Sequence, residues 1–255
     1  RKRFPAWNVP DEWVACYSPR AGYLKVEPAL RSMATEMQRA GGLLETNCRV
    51  TDWSADGDGV RVESTGGTFI ADRLIVTAGA WNIHLLTSLG LPLEVRRKPV
   101  LWFESNQPET ITPDVFPSWI AETGDTHLYG VPQVGVPGAK AGVHSGGEIS
   151  DPETLDREVH ARDVDAEIGP FLTTHMNGIT GRLTQSAVCM YTMTPDEDFI
   201  IDRHPEFANV VFAAGFSGHG FKFAPVVGQH LAELSLDDST ESRPLFSLNR
   251  FATAR

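Results

Sequence analysis

The sequence predicts an α/β protein with an inserted α+β region. Three observations predict it: helical periodicity alternates with buried-strand signals at both ends, the middle is rich in strand signals, and the last section reads strand, glycine loop, helix. Alternating strands and helices build a largely parallel sheet, and a strand-rich stretch set between two such regions builds a layer of its own. With 255 residues there is room for one large domain or two small ones, each with a usable core.

Residues 27–40 read as a helix. Pro28 suits the first helical position, Leu30, Met33, Ala34 and Met37 recur at helical spacing, and Gly41-Gly42 stops the run. A strand is expected over 43–50. Residues 60–64 and 68–71 alternate apolar and polar side chains around Gly66-Gly67, which is a hairpin signal. Residues 74–81 form a continuous apolar run ending in small residues and suit a strand buried on both faces. Asn82 then caps a short helix through 89, ended by Gly90. Further strands are expected at 99–104, 127–131 and 188–192, and a charged helical stretch over 151–175 opening at Asp151-Pro152-Glu153. The chain closes with a strand at 209–214, a loop at 215–220, and a helix at 225–236 with Val226, Val227, His230, Leu231 and Leu234 on one face.

Thirty-three acidic residues against 22 basic ones give a net charge of −11. Nucleic acid is a poor main partner for such a chain, because phosphate binding needs clustered Lys and Arg. Cys16, Cys48 and Cys189 are odd in number, far apart and form no CxxC pair, so neither a zinc site nor a disulfide framework is expected and a reducing, cytoplasmic setting fits. The eight histidines lack HExxH or H-x3-H spacing, so no metal is expected. No apolar run approaches a membrane span, and no secretory leader opens the chain.

A strand that ends in glycines and feeds a helix turns backbone N–H groups and a positive dipole end towards an anion. The loop from Gly215 to Gly220 has the order G-x-x-G-x-G, which is not the dinucleotide fingerprint G-x-G-x-x-G, and a plain tight turn is the alternative. Lys222, just beyond it, is either a carboxylate-holding cation or a solvated side chain, and His219 is either a polar neighbour of a ligand or a satisfied turn histidine. Cys189 is either a buried small hydrophobe or a modified thiol, and Tyr191 shares its strand face. Lys140 and His144 are four apart in a strand and point the same way, into a ligand or into solvent.

Taken together, residues 74–81, Lys140 to His144, Cys189-Met190-Tyr191-Thr192, Phe199-Ile200-Ile201-Asp202 and 213–223 resemble the family of monomeric sarcosine oxidase and N-methyltryptophan oxidase, within the D-amino-acid-oxidase-like flavoproteins. The resemblance runs along nearly the whole chain. It implies a partial FAD-binding, Rossmann-like domain (21–93 and 191–255) and an inserted α+β substrate domain on a mixed sheet (94–190, with 1–20 attached). It implies FAD as cofactor, held covalently through Cys189 and contacted by Val50, Gly79, Trp81, Gly218, His219, Gly220, Phe221 and Lys222. Tyr129, Lys140, His144, Tyr191 and Lys222 then line the substrate site. Lys222, His144 and Tyr191 are the catalytic candidates, with Lys222 implicated in oxygen activation.

The implied activity is oxidation of a secondary amine, in the first place an N-methyl amino acid such as sarcosine, to an imine that water splits, with hydrogen peroxide formed from oxygen. Oxidases of N-methyltryptophan, pipecolate or glycated amino acids are the neighbouring alternatives. The family pattern opens with a G-x-G-x-x-G unit that this sequence does not contain. The expectations are therefore an unpaired sheet edge, weak FAD binding by this polypeptide alone, a complementary N-terminal segment as partner, and an inactive fragment or subunit as the contrasting reading.

Overall fold

A computed structural model describes residues 2–254. In chain order the elements are α1 (Val26–Arg39), β1 (Val50–Asp56), β2 (Gly59–Ser64), β3 (Gly67–Ala71), β4 (Leu74–Val76), α2 (Asn82–Leu85), β5 (Glu94–Ser105), β6 (Trp119–Thr123), β7 (Thr126–Val131), β8 (Ala139–Val143), α3 (Ala161–Asp165), α4 (Ile168–His175), β9 (Ile179–Met193), β10 (Ile200–Arg203), β11 (Val210–Ala214) and α5 (Ala224–Leu236), with short 3-10 turns between some of them. The chain divides into two compact units: residues up to Tyr23 with Arg96–Met190, and Leu24–Val95 with the chain from Tyr191 onward.

The unit of residues up to 23 and 96–190 is built on a five-stranded sheet in the order β6-β7-β8-β5-β9, antiparallel from β6 through β5. One face is its core. Leu101, Phe103, Leu128, Ala139 and Ala141 pack there against Ile168, Phe171 and Leu172 of α4. A fully buried Leu, Ile or Phe side chain contributes about 1.5–3 kcal/mol. Trp7 joins from the N-terminal segment, with its ring 5.6 Å from Phe116 and 5.1 Å from Trp119. Residues 151–160 are not helical, against expectation. Side chains of Asp151 and Asp156 take the backbone N–H groups two residues on, and Arg97 takes the carbonyls of Asp156 and Glu158. Those carbonyls are thereby withheld from a helix, which begins only at α3.

Arg97 also binds Asp163 with two 2.8 Å hydrogen bonds, and both side chains are almost fully buried. Burial pushes the Asp163 carboxyl up, but hydrogen bonds from Arg97 and the His160 backbone outweigh it and hold the group below the ordinary carboxylate range. Removing one partner of such a pair strands a buried charge and costs about 3–5 kcal/mol.

The other unit has three layers. In the middle lies the sheet β10-β11-β4, with β10 and β11 antiparallel and β11 and β4 parallel. Ile201, Val211 and Ala213 face Val227, Leu231 and Leu234 of α5, while Ile200, Val210, Phe212 and Val76 face Val60 and Leu86 on the other side. The strand buried on both faces is therefore β11, and not the run at 74–81, which gives a three-residue edge strand with Ile75 exposed followed by a 3-10 turn. Val226, expected on one face with Val227, Leu231 and Leu234, is exposed while those three are buried. The third layer is the antiparallel meander β1-β2-β3, which includes the expected hairpin.

Two further expectations fail here. Residues 43–46 pair with no strand among the described residues, and Leu43 is 88% exposed, so the strand begins at Val50. Asn82 is not the N-cap of α2, a place Trp81 takes. It is helical and fully buried, and its side chain donates to the Ala213 carbonyl at 2.9 Å, tying the start of α2 to β11.

His204, at the end of β10, is 3% exposed and packs edge-on against Trp53 and beside Phe207. Its Nδ1 accepts from the Glu206 N–H at 3.2 Å, and its Nε2 has no partner among the described residues. Burial lowers its pKa below the ordinary 6.5. A base whose native pKa is depressed takes up protons more readily unfolded, so its contribution to stability is full above pH 6.5 and is lost as pH falls towards the native value. The urea midpoint is accordingly expected to be lower at pH 5.5 than at pH 7.5, with the difference reduced in His204→Gln. An equal difference in the variant would contradict the assignment.

Candidate active site

Sheet alternation divides the candidate residues of the first unit cleanly. Trp102 pairs with Lys140 and Val100 with Gly142, while Leu101 and Phe103 pair with Ala141 and Ala139. The second set fills the core, so the first set lies on the opposite face, where Trp102 and Lys140 are half-buried. Tyr129 pairs with Gly142 on that same face, and its ring lies across the glycine; a Cβ at Gly142 would stand 2.9 Å from the Tyr129 hydroxyl. The glycine therefore makes room for the tyrosine. The Lys140 ammonium is 5.1 Å from the centre of the Trp102 ring. His144 follows two residues after Gly142, with its N–H bonded to the His127 carbonyl at 2.7 Å. Tyr129, Lys140 and His144 are all half-buried, the first two on one face of the sheet and His144 one residue beyond β8 in the same register.

Cys189 stands in β9, next to the buried Val188, and is itself exposed. That removes the reading of a buried small hydrophobe. An exposed thiol in a strand is available for modification.

In the second unit the turn from Gly215 to Gly220 is shaped by its packing. Gly215, Ser217 and Gly218 all have positive φ, at 64°, 46° and 78°. The Ser217 N–H donates to the Thr192 carbonyl at 2.9 Å, its buried hydroxyl to the Gly215 carbonyl at 3.2 Å. These bonds hold a non-glycine residue in a backbone region that is costly without them. Gly218 lies against the face of Tyr191, where any Cβ would collide with the ring. The His219 ring is 5.0 Å from Phe199, and the Lys222 ammonium folds back to the His219 carbonyl at 2.9 Å while staying exposed. Tyr191, Gly218, His219, Gly220, Phe221 and Lys222 are thus one local structure in front of α5.

Val50, Gly79 and Trp81 sit around β4. An apolar cleft of about 240 Å³ runs along that strand, lined by Val50, Trp53, Val62, Leu74–Val76, Thr77, Ala78 and Leu85. Gly79 turns the chain with φ 58°, and a Cβ there would meet no atom within 4 Å. Because β4 and β11 are parallel, Gly79 and Gly215 follow the carboxyl ends of neighbouring strands. That end of a parallel sheet is where open α/β folds bind nucleotide cofactors. Open space beside Gly79, an apolar wall for a flat ring and the start of a 13-residue helix fit such a group.

Lys98, which the sequence reading does not name, is buried and bonded to the loop beyond β8. The available signal was three consecutive basic residues, Arg96-Arg97-Lys98, leading into an apolar strand. Among the described residues no group of His, Cys, Asp and Glu could hold a metal ion, and no helix is long and apolar enough to cross a membrane.

Residues 1–234 match the model of the FAD dependent oxidoreductase family. The chain is 42% identical over 254 residues to monomeric sarcosine oxidase of a Bacillus species, covering 98% of this chain and 65% of that protein. It is 34% identical over 258 residues to N-methyl-L-tryptophan oxidase of Escherichia coli, covering 99% and 66%. The chain therefore spans slightly less than two thirds of the length of these curated relatives. Among solved structures it shares its fold with a mutant of Amadoriase I from Aspergillus fumigatus (TM-score 0.75, 19% identity, 92% of this chain and 57% of that one) and with NikD, described as an unusual amino acid oxidase (TM-score 0.69, 22% identity, 86% and 58%).

Proposed function

We propose a function from the premise that this chain belongs to the FAD-dependent oxidoreductase family: it carries the flavin-ring and substrate machinery of an oxidase of secondary amines, with N-methyl amino acids such as sarcosine as the substrate class. The observation that carries the reading is that Tyr129 and Lys140 lie on the sheet face opposite the core, with His144 directly beyond β8, in a chain 42% identical to a sarcosine oxidase. When bound, FAD supplies the two-electron oxidation of the carbon–nitrogen bond and the passage of electrons to oxygen.

The protein's own residues do the remaining work. Val50, Gly79, Trp81 and the residues from Gly218 to Lys222 would hold the cofactor, and Cys189 would tether it covalently. Lys222, at the start of α5, adds its charge to the positive end of the helix, a combination that suits a carboxylate. Tyr129 and Tyr191 offer apolar faces with a hydroxyl at the tip. His144 gives the substrate amine a neighbour that, unlike a carboxylate, does not stabilise the ammonium form; the amine must be neutral to be oxidised. A cation near the oxygen-reacting position favours formation of an anionic reduced oxygen species, and Lys222 is assigned to it, with Lys140 as the second ammonium available.

One edge of β4 has no strand neighbour among the described residues, and α1 buries none of its side chains, with Val26, Leu30 and Met33 exposed. An open edge and an apolar helix face are what a complementary segment would pair with and cover, so such a segment is the proposed protein partner.

The test is a panel of amines read out by peroxide in the flavin-loaded enzyme. Sarcosine and other small N-methyl amino acids are expected to give the highest kcat/KM. A panel in which N-methyltryptophan, pipecolate or glycated amino acids lead by tenfold or more would move the substrate assignment to them.

A further inference from the structure

We propose that Lys98 is a positioning residue for His144, its ammonium group fixing the backbone on both sides of that histidine; the functional part of this proposal rests on the assignment of His144 to the substrate site. Lys98 lies near the start of β5 and is 3% exposed. Its Nζ donates to the carbonyls of Val143 at 3.1 Å, Ser145 at 2.8 Å and Gly146 at 2.8 Å. An ammonium carries three protons, and these are three acceptors. They bracket His144 in the chain.

The register explains why a side chain is used here. In the ladder between β5 and β8, Val100 stands opposite Gly142. The same register carried two residues further sets Lys98 opposite His144. Backbone bonds cannot complete the ladder at this point. The Arg97 N–H reaches across to the Glu148 carbonyl at 2.8 Å, and strand alternation points the nitrogen of residue 99 the same way, where proline has no hydrogen. The Lys98 ammonium supplies donors that the backbone lacks.

Other contacts close the segment around the lysine. Gly147 has φ 106°, and a Cβ there would stand 2.8 Å from the Arg97 carbonyl oxygen and 3.2 Å from Lys98 Cδ. On the far side, the His127 carbonyl accepts the His144 N–H, and the His127 N–H donates to the Ser145 hydroxyl at 3.0 Å. His144 is thus carried on backbone held from two directions. Such fixing matters for a group aimed at a substrate, since a misplacement of about 1 Å can cost about 10²-fold in rate.

The experiment is Lys98→Met in the full chain with labelled histidine, followed by nuclear magnetic resonance, and the same substitution in the flavin-loaded enzyme. The ring resonances of His144 are expected to shift while those of His204 stay in place. Amide exchange over 143–147 is expected to accelerate about tenfold or more. In the enzyme kcat/KM is expected to fall about 10–100-fold, with no further loss when the substitution is made in a His144→Ala background. A folded Lys98→Met with unmoved His144 resonances and unchanged exchange overturns the proposal. Shifted resonances with unchanged kinetics uphold the clamp and overturn the placing of His144 at the substrate. If Lys98→Met does not fold, Lys98→Gln, which keeps two amide donors on a shorter, neutral side chain, must move the same resonances; leaving them in place overturns the proposal.

Discussion

Cys189→Ser is expected to abolish covalent flavin. The denatured wild-type polypeptide, run on a gel and viewed under ultraviolet light, should fluoresce, and the variant band should be dark. The thiol is exposed in β9, so no unfolding is needed to reach it, and the exchange of sulfur for oxygen leaves strand geometry unchanged. Cys16→Ser and Cys48→Ser should keep their fluorescence. Cys48 already donates its thiol to the Ser64 hydroxyl at 3.1 Å and is half-buried, which makes it the poorer candidate. A fluorescent Cys189→Ser band would place the tether elsewhere or show that the flavin is held without one.

The second large effect is expected at Lys222, the cation proposed to serve oxygen. Lys222→Met should slow reoxidation of the reduced enzyme by about 10²–10³-fold, the range seen when one preorganised charge-stabilising group is removed from an active site. Because Lys222 also stands at the start of α5, the same variant should bind carboxylate-bearing substrates more weakly, while anaerobic reduction at saturating substrate keeps most of its rate. Lys140→Met is the necessary companion, since its ammonium is also held in place, over the Trp102 ring. Stopped-flow reoxidation of both variants decides the matter. A loss confined to Lys140→Met would transfer the oxygen role to Lys140 and leave Lys222 with the carboxylate.

What was legible in the sequence is what short-range pattern determines. The periodicity of 27–40 and 225–236 gives α1 and α5, and the glycine pair at 66–67 gives the β2–β3 turn. Sequence alternation also carries the shared face of Lys140 and His144. The unread features depend on partners distant in the chain. Asn82 answers to a carbonyl 131 residues away, and Arg97 claims backbone oxygens about sixty residues on, dissolving an expected helix. Residues 43–46 have strand composition but no strand beside them among the described residues. The 15-residue length of β9 was hidden because most of its side chains are exposed or half-buried and polar, so only its apolar end announced itself. Lys98 follows the same rule. Its role depends on three carbonyls 45 to 48 residues away, which no local spacing reveals.

Anaerobic addition of sarcosine to the flavin-loaded enzyme, with the flavin absorbance near 450 nm recorded, shows whether these residues serve flavin-dependent oxidation of a secondary amine. Bleaching is expected to be complete at about one equivalent of reducing substrate per flavin and to reverse when oxygen is admitted, with peroxide formed in equal amount. Bound flavin that stays oxidised with sarcosine and with every other secondary amine tried would contradict that role.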